Sequence, residues 1–130
     1  MLDGVATRDD LRRIALSLPE TTADETDSGY SVAGKAIAWT WRERVDPKKP
    51  RVPNPDVIAV RIAHDSEKEL LIEMDPAVFF TEPHYNGYAA ILVRLGAIDA
   101  DALERILRDA WRLRAPKKLV AELERSGPAR

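Results

Sequence analysis

Five basic side chains lie within ten residues of one another near the middle of this sequence: Arg42, Arg44, Lys48, Lys49 and Arg51. Four prolines lie within this segment or just after it, at positions 47, 50, 53 and 55. Cations at this density can neutralise phosphate groups, and proline restricts the backbone, so ordering the segment on a ligand costs less entropy. The pattern predicts a basic loop that contacts nucleic-acid phosphates. The alternative is that proline and lysine keep a long connection soluble and block edge pairing.

Other side chains that could do chemistry give weaker signals. His64 and His84 are the only histidines, and His84 with Glu82 and Tyr85 could form an acid/base cluster, although a solvent-exposed histidine is the simpler interpretation. The absence of cysteine excludes disulfides, thiolate nucleophiles and cysteine metal sites. The glycines are scattered, and Ala33-Gly34-Lys35 lacks the preceding spacing of a P-loop. We therefore expect no intrinsic catalytic activity, no tightly bound cofactor and no metal site.

The charge of this chain is distributed in alternating blocks. The net charge is only −2, but residues 35–55 have six positive and two negative side chains, and residues 105–130 have eight and three. Residues 1–34 have three positive and seven negative side chains, and residues 56–104 have three and ten. A locally positive surface is therefore possible despite the acidic total. The alternative is that these charges only solvate helices and loops.

Length and composition limit the class of protein. A chain of 130 residues predicts a single domain over residues 1–130, with enough apolar side chains for one modest core. The start, MLDGVATRDD, lacks both the basic start and the apolar run of a secretory signal. No segment approaches the roughly 20 apolar residues that span a membrane. We therefore expect a cytoplasmic protein with no membrane partner, and we favour a monomer.

Apolar spacing and capping residues predict four helices. Thr7 and Asp10 form a capping box before a helix over residues 8–18, which Pro19 ends. Asp65 is expected to cap a short second helix that ends at Pro76. The third helix is expected to begin at a capping pattern of Asp101 and Glu104, and the fourth at Pro116.

Alternating apolar residues predict strands over residues 29–32, 35–44, 57–62, 78–80 and 89–95. Ala33-Gly34 is a two-residue hairpin signal between the first two strands. The resulting order is α-β-β-β-α-β-β-α-α. It predicts an α+β domain in which an antiparallel sheet of about five strands has helices packed mainly on one face.

Strand alternation assigns side chains to the two faces of this sheet. The face expected to meet the helices combines apolar residues of three strands: Ile37, Trp39, Trp41, Ile58, Val60, Ile62, Ile91, Val93 and Leu95. The other face has small residues and one arginine per strand, Arg42, Arg61 and Arg94. It is either a half-solvated face covered by arginine stems or a basic face that meets an anionic partner.

Five short motifs occur in a recognisable order: SLPE at 17–20, YSVAGKAIA at 30–38, YNGYAAILV at 85–93, AWRL at 110–113 and KKL at 117–119. In this order, over nearly the whole chain, they resemble the MmcQ/YjbR family. The resemblance implies a frataxin-like α+β fold and the "double wing" DNA-binding role proposed for that family.

The resulting hypothesis is a DNA-binding protein that contacts the phosphate backbone weakly and without reading sequence. The residues expected to contact nucleic acid lie on the basic loop, a second loop tip and the sheet: Lys35, Arg42, Arg44, Lys48, Lys49, Arg51, Arg61, Tyr85, Asn86, Tyr88 and Arg94. The alternative is a non-enzymatic module that binds a protein, a small ligand or a metal on the same sheet.

Overall fold

The computed structural model describes residues 4–26 and 28–126, which form four α-helices, six strands and two short 3₁₀ helices. The helices are α1 (Arg8–Ser17), α2 (Glu67–Met74), α3 (Ala100–Arg114) and α4 (Lys117–Ser126). The strands are β1 (Thr21–Ala23), β2 (Gly29–Val32), β3 (Lys35–Glu43), β4 (Val52–Arg61), β5 (Phe79–Phe80) and β6 (Ala90–Arg94). None of these helices is long and apolar enough to cross a membrane. The α+β class is confirmed, with six strands in place of about five.

The six strands form one antiparallel sheet in the order β1-β2-β3-β4-β6-β5. The first four strands follow one another directly, whereas α2 and β5 precede β6, which returns to pair with β4. The strand that the sequence did not predict is β1, which lies between the first predicted helix and the first predicted strand. Its three residues pair with β2 at the sheet edge, and a strand this short gives no alternation to detect.

Helices α1 and α3 pack on one side of the sheet, here called the helix side. Their buried side chains, Leu11, Ile14, Ala15, Leu103, Leu107, Ala110 and Trp111, share one core with the sheet residues Ile58, Val60, Ile91 and Val93. Those four sheet residues are at most 1% exposed. Their predicted orientation towards the helices is therefore confirmed.

The helix starts show where local capping signals succeed and fail. The predicted capping box of α1 is confirmed, because Asp10 N donates to Thr7 Oγ1 at 3.1 Å and Thr7 N donates to Asp10 Oδ2 at 3.0 Å. The predicted start of α3 is wrong by two residues. Its cap is Asp99, whose Oδ1 accepts from Ala102 N at 2.7 Å, and Asp101 lies in the first turn. Two acidic residues close together offered the same signal, and the earlier one is used.

Trp39 and Trp41 lie on the side of the sheet opposite to the helices, so their predicted orientation is wrong. Strand β3 has a β-bulge at Ile37. Tyr30 pairs with Ala38 and the next residue, Ser31, pairs with Ala36, so Ile37 is the extra residue. As a result Ile37 and Ala38 are both buried on the helix side. The alternation is reversed after the bulge, and both tryptophans are directed away from the helices.

Trp111 connects the two main helices with the loop after α1. Its side chain is completely buried, and its Nε1 donates to the backbone carbonyl of Pro19 at 2.9 Å. We predict that Trp111→Phe lowers the free energy of unfolding by about 1–3 kcal/mol, because the Pro19 carbonyl loses its partner. Trp111→Ala should lower it by about 3–5 kcal/mol through the added cavity.

Urea denaturation followed by circular dichroism measures both changes. The control is Leu113→Ala, because Leu113 is on the same helix but 45% exposed, so the change should stay within about 1 kcal/mol. Equal losses of stability for all three variants would contradict the assigned burial.

Candidate nucleic-acid interface

Strands β3 and β4 extend beyond the rest of the sheet as a two-stranded ribbon. Pairing of β2 with β3 ends at Trp39, and pairing of β6 with β4 ends at Val57. Beyond these points β3 and β4 pair only with each other, from Trp41 opposite Asn54 to Glu43 opposite Val52. We call residues 41–54 the wing. The predicted start of this strand at residue 57 is wrong, because β4 begins at Val52.

The strand pattern failed to predict this ribbon because of its prolines. Pro53 and Pro55 lie within β4, where a loop was expected. Proline has no N–H to donate, so it is tolerated in a strand only where a ladder bond is dispensable. Here β4 has no second neighbour, since β6 pairs with it only from Val57 onwards. Pro47 and Pro50 lie in the connecting loop, residues 44–51.

The wing presents four exposed cations, Arg42, Arg44, Lys48 and Lys49. None of the four forms an ion pair with a carboxylate in residues 4–26 or 28–126. The loop is braced through its backbone instead. Arg44 Nη1 donates to Lys49 O at 2.7 Å, and Asp46 accepts from the backbone N–H of Lys48 at 2.9 Å. The side chains of Lys48 and Lys49 thus extend from an ordered turn.

Arg51, the fifth cation, faces the sheet. Its guanidinium donates to both carboxylate oxygens of Glu82, at 2.9 and 3.3 Å, and to the carbonyl of Arg42 at 2.6 Å. Trp41 Nε1 donates to Glu82 as well, at 2.7 Å. We call Arg51, Glu82 and Trp41 the Glu82 clamp. It attaches the base of the wing to the segment that follows β5.

The clamp keeps Glu82 ionised. Burial raises the pKa of Glu82, but the hydrogen bonds from Arg51 and Trp41 and the charge of Arg51 lower it by more. The pKa therefore lies below its ordinary value of 4.5. Both side chains of the ion pair are 18% exposed, so solvent screens this interaction only in part.

The sheet side away from the helices, here called the open face, is covered by aromatic rings and arginines. Phe80 packs edge-on against Trp41 at 5.4 Å between ring centroids, and the Arg94 guanidinium lies 4.1 Å from the Phe80 centroid. Arg61 is likewise 5.7 Å from the Trp39 ring and 4.8 Å from the Tyr88 ring. These distances fit cation–π contacts.

A small cavity of about 310 Å³ opens between Trp39, His84, Tyr85 and Tyr88. Trp39 Nε1 donates to the Tyr85 hydroxyl at 3.2 Å, which fixes the indole plane. Burial raises the pKa of Tyr85 above its ordinary value of 10.0, against the opposing effect of the Trp39 hydrogen bond. Tyr85 is 7% exposed and Tyr88 is 44% exposed, so Tyr88 offers the accessible ring. We call this cavity the aromatic pocket.

Lys68 of α2 holds the segment that forms this pocket. Its side chain is buried, and Nζ donates to the Tyr85 carbonyl at 2.5 Å while pairing with Asp65 Oδ1 at 2.5 Å. The predicted capping role of Asp65 is therefore wrong: Ser66 precedes the first helical residue, and Asp65 neutralises the lysine. A buried ammonium with two partners is tolerated where an unpaired one would be costly.

A larger cleft of about 650 Å³ lies beside the edge of β3 where its pairing with β2 ends, and we call it the edge cleft. Its wall consists of Arg8, Thr26, Ser28, Trp39, Thr40, Arg42, Pro53 and Pro55. Arg8 is held in place by bonds to Pro55 O at 2.9 Å and to Thr40 Oγ1 at 3.0 Å. Trp39 belongs to the walls of both the edge cleft and the aromatic pocket.

The structure places the predicted site residues in four different settings. Arg42, Arg44, Lys48 and Lys49 are brought together and exposed on the wing, and Arg61, Arg94 and Tyr88 lie on the open face. Arg51 and Tyr85 are used as internal supports. Lys35 begins β3, at the strand end opposite to the wing, and Asn86 is exposed beside the aromatic pocket.

Sequence reasoning missed the contribution of Arg8, Lys68 and Glu82. Arg8 and Lys68 lie in helices, and neither helix periodicity nor charge indicates a contact with a distant strand or loop. Glu82 gave a partial signal, as the acidic residue in the turn-rich segment between two strands. Its partner Arg51 was predicted to contact nucleic acid, and only the three-dimensional structure brings Arg51 and Glu82 together.

We predict that Glu82→Gln lowers the free energy of unfolding by about 1–3 kcal/mol at neutral pH, because the variant removes the ionised acceptor of Arg51 and Trp41. The folded-state pKa of Glu82 is lowered, so its stabilisation is present above the ordinary value of 4.5 and is lost as pH falls through the lowered pKa. The difference between wild type and variant should therefore shrink in acid.

Urea denaturation at several pH values between about 7 and 3 tests this linkage. Glu73→Gln serves as the control, since it removes an exposed carboxylate of α2. A pH-independent difference between wild type and Glu82→Gln would contradict the charged clamp.

Comparisons with known proteins place this geometry in a family. A family model described as YjbR matches residues 16–113. The uncharacterized proteins Rv2570 of Mycobacterium tuberculosis and Mb2600 of Mycobacterium bovis are each 38% identical over 130 residues, covering 95% of this chain and 100% of the relative. The crystal structure of Deinococcus radiodurans protein DR2400, with a DUF419 domain, is similar in fold, with a TM-score of 0.57 and 23% identity over 86% of this chain and 81% of that one. The family match and the 38% identity together show that this chain belongs to the YjbR family.

Proposed function

We propose that this chain is a non-enzymatic DNA-binding protein whose wing contacts the phosphate backbone. The observation that supports the proposal is the set of four exposed cations on the wing, none of them paired with a carboxylate in the described part of the chain. Phosphate neutralisation by such cations supplies most of the affinity of sequence-independent binding.

Three arginines of α1 and α3 differ from the cations of the wing. Arg13, Arg108 and Arg112 form ion pairs with carboxylates of their own helix, and Arg112 also pairs with Glu124 of α4. Such side chains would have to exchange a partner before they could contact a phosphate. On the wing that exchange is not needed, which favours the wing as the point of contact.

The geometry of the wing favours binding without sequence recognition. Its cations lie on a turn of residues 44–51 and on the strand next to it, and base edges in a duplex are recognised mainly by elements that enter the major groove. A few phosphate contacts correspond to a dissociation constant of about 10⁻⁴ to 10⁻⁶ M at physiological salt. Affinity should fall steeply as the salt concentration rises.

The non-enzymatic part of the proposal is supported by the dispersal of reactive groups. Within residues 4–26 and 28–126 no three His, Cys, Asp or Glu side chains approach closely enough to hold a metal ion. His64 and His84 are exposed. Glu82 is engaged with Arg51 and Trp41 rather than presented to a substrate.

A second candidate, a module for an apolar small ligand, is favoured by a different cavity. A groove of about 380 Å³ lies between α2, α3 and the sheet, with Leu71, Phe79, Ile91, Ile106 and Leu113 in its wall. Ile106→Trp should fill this groove without touching the wing. This candidate is favoured if the wild type binds an apolar fluorescent dye, Ile106→Trp loses that binding, and substitutions of wing cations do not change DNA affinity. Otherwise the wing remains the favoured site.

We predict that Lys48→Ala combined with Lys49→Ala reduces the slope of log affinity against log salt by about 1.8, because each phosphate that a lysine neutralises contributes ~0.9 to the slope. The fold should be unaffected, because both side chains are exposed and the turn is braced through backbone groups. Fluorescence anisotropy with a labelled duplex across a salt series measures the slope.

The matched control is Lys117→Ala combined with Lys118→Ala, which removes the same two charges from the exposed start of α4. This variant should keep the wild-type slope within about 0.5. Equal slopes for wild type and the wing variant would contradict the proposed contact. No binding of the wild type at low salt would overturn DNA binding itself.

A further inference from the structure

The aromatic pocket is adjacent to the edge cleft, whose wall reaches the wing. Trp39 forms part of its wall and also part of the wall of the edge cleft, which contains Arg8 and Arg42. Arg42 belongs to the wing. A polyanion held by the wing cations would run along the edge cleft to the half-buried ring of Trp39, and beyond it to the accessible ring of Tyr88.

The rings of this pocket are held in a fixed arrangement before any ligand arrives. The Tyr85 hydroxyl fixes the Trp39 indole, Arg61 Nη2 donates to the Tyr88 hydroxyl at 2.9 Å, and Lys68 holds the Tyr85 carbonyl. The Arg61 guanidinium lies 4.8 Å from the Tyr88 centroid. A base stacking on Tyr88 would therefore meet a ring that is already ordered, which lowers the entropy cost of binding.

We propose that the aromatic pocket binds an unpaired nucleobase, so that this protein binds single-stranded nucleic acid in preference to duplex. The inference deepens the proposed function and rests on it. Bases of a duplex are stacked inside the helix and cannot reach Tyr88, whereas a single strand can turn a base outward onto an aromatic ring. Any base has such a face, so the preference for single strands needs no sequence recognition.

The edge cleft supplies a place for the phosphate next to the stacked base. Arg8 and Arg42 donate to the backbone carbonyls of Pro55 and Arg51, which leaves further N–H groups of each guanidinium for an anion. The cleft is not uniformly positive, because Thr26 and Ser28 in its wall hold the Asp24 carboxylate. The phosphate is therefore expected on the part of the wall formed by the two arginines.

Electrostatics alone predicts the opposite preference. A duplex has the higher charge density, and each phosphate contact contributes a larger salt slope with duplex than with a single strand, about 0.9 against about 0.7. Tighter binding of the single strand would therefore report contacts to bases rather than to phosphates.

The test compares three labelled oligonucleotides of one length by fluorescence anisotropy at low salt: a single strand, a duplex, and a single strand without bases. The single strand should bind roughly tenfold more tightly than the duplex, and removal of the bases should abolish this advantage. Tyr88→Ala should abolish it as well, by lowering the affinity for the single strand to that for the duplex. Tyr88→Phe keeps the ring and should keep the advantage.

The outcomes separate this inference from the proposed function. Equal affinity for single strand and duplex overturns the inference and leaves phosphate binding by the wing in place. A single-strand preference that survives Tyr88→Ala, or that the strand without bases retains, overturns the assignment of the pocket. Absence of binding to all three oligonucleotides overturns the proposed function and the inference together.

Discussion

One extra residue in β3 decides which side of the sheet receives the aromatic side chains. The bulge at Ile37 buries two successive residues on the helix side and so directs Trp39 and Trp41 to the open face. From there Trp39 contacts Tyr85 and Arg61, and Trp41 contacts Glu82 and Phe80. Without the bulge both indoles would compete with Ile58 and Ile91 for space under the helices. The aromatic rings of the open face and the attachment of the wing therefore depend on this change of register.

Two buried or half-buried ion pairs then fix the segment between β5 and β6. Glu82 accepts from Arg51 and Trp41 at one end of the segment, and Lys68 donates to the Tyr85 carbonyl at the other. Glu82, Arg51 and Lys68 each have an opposite charge and a further hydrogen bond, which offsets the cost of desolvation. Pairing of this kind gives little net stability compared with apolar packing, but it specifies geometry. Here it orients the rings of the open face relative to the wing.

The sequence predicted those parts of the fold that depend on local signals. The hairpin at Ala33-Gly34, the capping box of Thr7 and Asp10 and the inward faces of β4 and β6 follow from turn chemistry and alternation. The orientation of the tryptophans did not, because a bulge depends on how two strands pair and leaves no mark in one of them. The first residues of β4 were missed because Pro53 and Pro55 normally argue against a strand. In the candidate site, the exposed cations were predictable from spacing, whereas the inward turn of Arg51 required the position of Glu82.

The proposed function divides nucleic-acid binding into two tasks. In that proposal, cations on a ribbon beyond the sheet would meet phosphates, so that a chain of net charge −2 would still offer a positive surface. Rings on the open face would meet bases, where orientation matters more than charge. The Glu82 clamp couples the two, since Arg51 belongs to the wing and Glu82 to the segment that bears Tyr85 and Tyr88. A change in the clamp would therefore alter the distance between the wing and the aromatic pocket. In the proposed function this distance determines which conformations of a nucleic-acid strand can contact both.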